Sequence, residues 1–307
     1  MADQSQNKAV QTTGHAWDGD LQEFNNPLPT WWLWTFYATV VFAAAYWVLY
    51  PAWPVGTSYT KGVKTITYLD KNGQEVTTGW NTRAKFIKEN QSGDEALKQK
   101  AYLEKVAAAS YEEIANDPDM TAFTQSLAKV IFADNCAACH GAGGTPAIIG
   151  SYPNLRDDAW LWGGKIDQIK HTIAAGRDGF MPAFKEVLSA EKVEQLASYV
   201  LSLSGEKVDA AKAKAGEAIF QGQEGGCYYC HTDTGKGMYS QGAANLTDAV
   251  WTVADVQGAA DTKGKLAVIK QVINNGITRQ MPAWSERLSE TEIKLLTVYV
   301  HGLGGGQ

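Results

Sequence analysis

Cysteine is scarce in this chain: 307 residues hold only four. None lies outside two five-residue stretches, Cys136-Ala137-Ala138-Cys139-His140 and Cys227-Tyr228-Tyr229-Cys230-His231. A disulfide framework spreads its cysteines along a chain, so this distribution argues against one; cysteines clustered beside a histidine point to metal or haem. A basic cluster is also missing. The 27 Lys and Arg are scattered among 33 Asp and Glu, for a net charge of −6, whereas a nucleic-acid binder presents a basic face. Nor is the chain poor in apolar residues, at 45%, which excludes disorder throughout. The first 30 residues set Asp3, Asp18, Asp20 and Glu23 against Lys8, a balance of −3 that leaves −3 for the remainder. An acidic surface suits a basic partner. The length allows two small globular domains and an anchor.

Residues 31–50, WWLWTFYATVVFAAAYWVLY, lack any charge. A hydrocarbon core of roughly 30 Å needs about 20 helical residues. Trp31, Trp32, Trp34 and Tyr37 mark one end, and Tyr46, Trp47, Tyr50 and Trp53 the other, as expected for rings that prefer the membrane–water interface. A cleaved signal peptide is excluded by an acidic leader, a start 30 residues in, and the lack of a small-residue cleavage site. Lys61 and Lys64 follow the segment, and no Lys or Arg lies in the 20 residues before it. That bias favours an external N-terminus. If the CxxCH groups carry haem c in a bacterium, attachment takes place on the periplasmic side, a requirement that calls for the opposite orientation and outweighs two lysines.

The C-terminal part contains one unit twice. MPAFKEVLSAEKVEQLASYVLSLSG (181–205) and MPAWSERLSETEIKLLTVYVHGLGG (281–305) agree at 11 of 25 positions, at an offset of 100. Nearer the cysteines the offset is 91, matching Asn154-Leu155 with Asn245-Leu246, Asp157 with Asp248 and Trp160 with Trp251. The second copy carries extra loop residues between Trp251 and Ile269. Two copies are too few for a solenoid, so two tandem domains are expected. Each is mostly helical. Phe123, Leu127, Val130 and Ile131 recur at helical spacing before the first cluster. Ser189 and Ser289 read as N-caps, the latter in a capping box with Glu292. Val193, Leu196, Val200 and Leu203 form an apolar stripe, repeated by Ile293, Leu296, Val300 and Leu303. Such small domains have thin cores, which a large apolar cofactor fills. Between anchor and repeats, 65–78 predicts a hairpin around Lys71-Asn72-Gly73. Residues 94–116 predict one helix, closed by Asn116-Asp117-Pro118.

In a c-type haem site two thiols add to the vinyl groups as thioethers. On a helical turn, Cys at i and i+3 share a face, and His at i+4 lies under the iron. Cys136 and Cys139 would hold one haem with His140 as proximal ligand; Cys227, Cys230 and His231 would hold the other. A zinc site and a thioredoxin-type dithiol compete with this reading. Zinc does not account for the second repeated feature, and no βαβ pattern surrounds either dithiol. That feature is Met-Pro-Ala at 181 and 281, lying 41 and 50 residues past the histidines. Methionine sulfur is a soft sixth ligand that raises the potential, and Met181 and Met281 fall in polar loops rather than in a core pattern. Met238 is too near His231; His15 and His301 lie outside the repeated plan, and His171 is the fallback ligand for the first haem. Trp160 and Trp251 are candidates for propionate hydrogen bonds or for packing on a haem edge. Arg177 reads as an exposed loop charge rather than a propionate partner.

One uncharged helix ending in YPAWP, a spacer, and two units with CxxCH, N-L-x-D-x-x-W and MPA motifs resemble the diheme subunit III (CcoP/FixP family) of cbb3-type cytochrome c oxidases. DDAWLWGG at 157–164 narrows the likeness, which covers nearly the whole chain except the 60–80 insertion. The resemblance implies an all-α fold: a tail at 1–29, a transmembrane anchor at 30–53, a spacer at 54–119, and cytochrome c domains at 120–205 and 210–305. It implies two covalent haem c groups, axial ligands His140, Met181, His231 and Met281, and residence in a bacterial inner membrane with the haems in the periplasm. It also implies an electron relay, not catalytic alone. The donor is a soluble or membrane cytochrome c; the partners are a monohaem cytochrome c subunit and the haem–copper subunit that reduces oxygen. In this family the methionine of one unit can ligate the haem of the other, and the sequence is compatible with both pairings. A diheme subunit of another membrane redox enzyme, such as a dehydrogenase, is the alternative. A haem sensor or peroxidase would need an open iron position, which the two methionines oppose.

Overall fold

A computed structural model describes residues 11–146 and 152–305; Asp3 and Lys8, counted in the leader's charge, lie outside the described residues. The chain divides into two units, residues 1–102 and 103–307.

In the first unit, an exposed antiparallel ribbon, β1 (Thr12–Trp17) with β2 (Leu21–Phe24), occupies the tail, where the sequence signals no element. Helix α1 (Thr30–Leu49) follows within one residue of the predicted span. Pro29 precedes its first turn and Pro51 bars its continuation. It is long and apolar enough to cross a membrane, and none of its side chains is buried within the chain. A short ribbon, β3 (Pro54–Val55) with β4 (Ser58–Tyr59), leads to the predicted hairpin, β5 (Thr65–Leu69) with β6 (Glu75–Gly79). The Asp70 carboxylate accepts from the Asn72 and Gln74 amides and sets the hairpin turn. Helix α2 (Thr82–Ser92) starts at the N-cap Asn81, whose side chain accepts from Ala84 N. Gln91 pins α2 to β5 by bonding both the amide and the carbonyl of Leu69.

The single helix expected over 94–116 is two, α3 (Asp94–Ala108) and α4 (Tyr111–Asn116). The break falls at Ser110, which forms a capping box with Glu113. Capping a new N-terminus there competes with helix continuation. In the second unit, Lys294 Nζ donates to the carbonyl of Ala109 at 2.8 Å, satisfying a group the break leaves open.

Helix α5 (Pro118–Asn135) begins at Asp117, whose carboxylate accepts from the amides of Asp119 and Met120. Its buried face is Met120, Thr124, Ala128 and Phe132. The expected face was Phe123, Leu127, Val130 and Ile131, yet Val130 is 58% exposed. Small residues at 124 and 128 let a neighbouring helix approach closely, and apolar periodicity under-weights them. The first cysteine cluster forms α6 (Ala137–His140), followed by α7 (Ile166–Ala175), β7 (Arg177–Met181) and α8 (Ala190–Leu203). The second copy runs through α9 (Ala210–Gln221), α10 (Tyr228–His231), α11 (Thr262–Asn275), β8 (Ile277–Met281) and α12 (Glu290–His301). Ser189 and Ser289 cap α8 and α12, the latter in the predicted box with Glu292.

The two copies interleave. Helix α8 packs against α9 and α11, and α12 packs against α5 and α7. Each copy's last helix therefore covers the other copy. Strands β7 and β8 pair antiparallel, with Arg177 opposite Met281, Gly179 opposite Arg279 and Met181 opposite Ile277. The methionine segments, expected as loops, are thus an intercopy ribbon. Beyond it, Phe184 N donates to Ile273 O, and Trp284 N donates to Ile173 O. A buried cluster joins Leu196, Ala197, Val200 and Leu201 of α8 to Ile219 and Phe220 of α9 and Ile269 and Ile273 of α11. Glu194 of α8 pairs with Lys212 of α9 at 2.6 Å and Lys270 of α11 at 3.0 Å.

Helix α9 meets α8 at Gly216, where an added Cβ would strike the Gln195 backbone and lie 2.9 Å from Tyr199 Cβ. Overpacking of this kind costs about 1–3 kcal/mol. Gly216→Ala is therefore expected to lower the stability of the second unit by about that amount in denaturant unfolding, against a usual preference for Ala within helices.

Candidate haem-binding site

Each cysteine cluster forms one helical turn, so its two sulfurs and the following imidazole project to one side. All four cysteines are free thiols. His140 Nδ1 donates to the carbonyl of Pro153 at 3.1 Å, and His231 Nδ1 donates to that of Ala244 at 2.9 Å. A metal-binding histidine is typically oriented in this way, with its second nitrogen left for the metal. Burial pushes both imidazoles below the usual histidine range, outweighing the opposing bond to the carbonyl.

The accepting carbonyls are positioned by the repeated Asn-Leu motif. Asn154 Oδ1 accepts from Arg156 N, and Asn245 Oδ1 accepts from Thr247 N. Leu155 N donates to Gly144 O, and Leu246 N donates to Gly235 O. These paired turns fix the chain immediately after Pro153 and Ala244, which gives the motif a physical role that spacing alone did not supply.

Both clusters open on one cavity of about 810 Å³, whose wall also contains Met181, Met281, Trp160 and Trp251. The structure therefore brings together all eight candidate residues: Cys136, Cys139, His140, Met181, Cys227, Cys230, His231 and Met281. Met181 packs on the buried cluster that also receives Cys227, Tyr228, Leu246 and Trp251, so the first copy's methionine and one of the second copy's cysteines border the same core. On the other side, α12, which follows Met281, covers α5 and α7 of the first copy, with the rings of Phe132 and Tyr299 5.2 Å apart. His171 is exposed on α7, and Met238 is exposed as well. Among the described residues, no three His, Cys, Asp or Glu side chains gather in a group able to hold a metal ion. A flat apolar prosthetic group attached through sulfur fits this wall and this donor set.

Trp160 donates its indole N–H to the carbonyl of Asp157 at 2.8 Å, so it braces its own loop while lining the cavity. Arg177 departs from the exposed loop charge expected. It lines the cavity, bonds Thr172 Oγ1 at 2.9 Å and stacks 4.7 Å from the Trp162 ring. Sequence reasoning missed Arg279, which also lines the cavity and donates to the carbonyls of Thr252 and Val253. Burial pushes both guanidinium groups down from their ordinary value. Arg177 and Arg279 do not align in the repeat, so no repeated signal marked them.

Comparison with known proteins adds independent findings. A family described as the N-terminal domain of cytochrome oxidase-cbb3, FixP, matches residues 9–57. A second, described as cytochrome c oxidase, cbb3-type, subunit III, matches residues 124–200 and again 211–300. The chain is 45% identical to the cbb3-type cytochrome c oxidase subunit FixP of Azorhizobium caulinodans, over 96% of this chain and 94% of that protein. It is 40% identical to the FixP subunit of a Bradyrhizobium species over the full length of both. The CcoP subunit of Azospirillum brasilense is 38% identical, over 97% of this chain and 96% of that protein.

Burial pushes the Cys136 and Cys227 thiols up to about 11, while Cys139 and Cys230 are exposed. The thiolate is the nucleophile. In the haem-free chain at pH 8, iodoacetamide is expected to alkylate Cys136 and Cys227 more slowly than Cys139 and Cys230, as read by mass spectrometry of the peptides. The rates at Cys136 and Cys227 should climb as the pH is raised toward 11.

Proposed function

The chain belongs to the subunit III family of cbb3-type cytochrome c oxidases, and from that premise we propose that it is a membrane-anchored electron relay bearing two covalent haem c groups. The observation that carries this reading is the single cavity onto which both CxxCH turns and both Met-bearing strands open. Cys136, Cys139 and His140 would hold one haem, and Cys227, Cys230 and His231 the other. Packing favours crossed completion of the ligand sets. Met181 would serve the haem of the second cluster and Met281 that of the first, in line with Met181 and Cys227 bordering one buried core and with α12 lying over α5 and α7.

Haem iron, when bound, supplies reversible one-electron chemistry. The chain's own residues hold, orient and tune it. His140 and His231 are kept in one tautomer by Pro153 and Ala244. Thioether sulfur from Met181 and Met281 favours the reduced state and raises the potential. The apolar wall from Phe132, Leu196, Val200 and Phe220 excludes water. Arg177 and Arg279 bring positive charge to the cavity edge, which suits anionic propionates.

On this reading the chain is a single-pass protein of a bacterial inner membrane, anchored by α1, with the haem-bearing unit in the periplasm; the length and apolar composition of α1 support it. Electrons enter from a soluble or membrane cytochrome c. They leave toward the monohaem cytochrome c subunit and the haem–copper catalytic subunit. The names of the relatives, each a cbb3-type cytochrome c oxidase subunit, support this assignment over a dehydrogenase complex.

The purified mature chain is expected to exceed its 33.3 kDa polypeptide mass by two covalently bound haem groups and to show Soret absorbance. With both irons six-coordinate, the reduced subunit should not bind carbon monoxide. Copurification with a partner containing high-spin haem and copper is expected; a quinoprotein or molybdenum partner would contradict the assignment.

A further inference from the structure

The segment that leaves α1 comes straight back to it. Tyr50 N bonds Tyr46 O at the helix end, and the chain then turns into the β3–β4 ribbon, closed by Thr60 N on Trp53 O at 2.8 Å. Three residues later Val63 N and Lys64 N donate to the carbonyls of Val48 and Leu49, both at 3.0 Å. These are carbonyls that a helix end normally leaves open. The approach is possible because residue 62 is glycine, with φ +68° and no room for a Cβ beside the backbone of Leu49. Residues 50–64 are therefore bonded at both ends to the last turn of α1. At about 3.3 Å per residue, the tip of so short a loop, about seven residues from either attachment, stays within roughly 23 Å of the helix end.

The chemistry of this loop differs from that of the rest of the chain. Trp53, Val55, Tyr59 and Val63 are 50%, 61%, 56% and 70% exposed. Trp53 extends the aromatic end of α1, with its ring 4.5 Å from that of Trp47. Residues 50–64 contain Lys61 and Lys64 and no Asp or Glu, although the whole chain carries −6. Lys64 Nζ bonds the Tyr50 hydroxyl at 2.8 Å. Aromatic and aliphatic side chains open to their surroundings, beside cations, match the headgroup layer of a phospholipid bilayer.

We infer that residues 50–64 form an interfacial foot, seated in the phospholipid headgroup layer where α1 leaves the membrane. The inference rests on the reading of α1 as a membrane anchor. The foot sets the depth at which α1 stops. It also fixes the β5–β6 hairpin to that depth, because Trp80 at the end of β6 bonds Lys64 O at 2.8 Å and meets the Tyr50 ring at 4.9 Å. Helix, foot and hairpin are then one rigid mount rather than a flexible tether.

The test uses the full haem-loaded chain in vesicles of phosphatidylcholine and phosphatidylglycerol. With the native cysteines bound as thioethers, single introduced cysteines at Val55→Cys, Val41→Cys within α1, and Asn72→Cys at the hairpin turn are spin-labelled. Collision rates with oxygen and with a water-soluble nickel chelate are then measured. Val55 is expected to meet the chelate severalfold less than Asn72 does, and to meet oxygen at a rate between those of Asn72 and Val41. If Val55 matches Asn72 while Val41 stays shielded, the foot is overturned and the anchor stands. Should Val41 itself be open to the chelate, both readings fail. Shielding of Val55 only in the presence of the other oxidase subunits would assign the surface to a protein partner and overturn the lipid inference.

Discussion

The five-residue ladder between β7 and β8 is the constraint on which the second unit depends. Among the described residues neither strand has a ladder partner within its own copy, and half-shielded strand amides and carbonyls need hydrogen-bond partners. Pairing Arg177–Met181 with Ile277–Met281 satisfies both at once. Because the following chain segments cross with the strands, α8 is committed to α9 and α11, and α12 to α5 and α7. The two copies of an internal repeat thereby become one cooperative structure. Each copy's last helix packs on helices of the other copy.

The orientation of the two CxxCH histidines follows from backbone rather than from side-chain networks. A carbonyl 13 residues beyond each histidine fixes its ring, and an Asn-Leu turn fixes that carbonyl. Backbone partners cost little conformational entropy once the turn is formed, and they do not titrate. Both imidazoles are therefore aimed by the backbone. The departures from symmetry are the two arginines. Arg177 reaches Thr172 and Trp162, and Arg279 reaches Thr252 and Val253, from unmatched strand positions. Both cations line the cavity.

Much of this was legible in the sequence where one local signal sufficed. An uncharged run between prolines located α1 to within a residue, Asn72-Gly73 located the hairpin turn, and Ser189 and Ser289 located two helix starts. Doubled CxxCH and MPA motifs named residues that line one cavity. What escaped depended on distant partners. The methionine strands are five residues long, and each pairs across a separation of about a hundred, so their period-2 character has no local support. The inward face of α5 carries Thr124 and Ala128, which earn little weight on an apolar scale. Helix α2 buries only Ala84 and so shows no stripe. Arg279 has no repeat counterpart, and its role exists only once β8 lies across β7.

Crossed completion of the two sites is the central claim, and optical spectroscopy of a chain reduced to one haem tests it directly. With Cys227→Ser and Cys230→Ser, only the attachment site at Cys136 and Cys139 remains. Its ferric form should show the near-infrared band of methionine sulfur on haem iron. Adding Met281→Ala should abolish that band, and adding Met181→Ala should leave it in place. The reverse pattern, with the band lost on removal of Met181, would contradict the interleaved assignment.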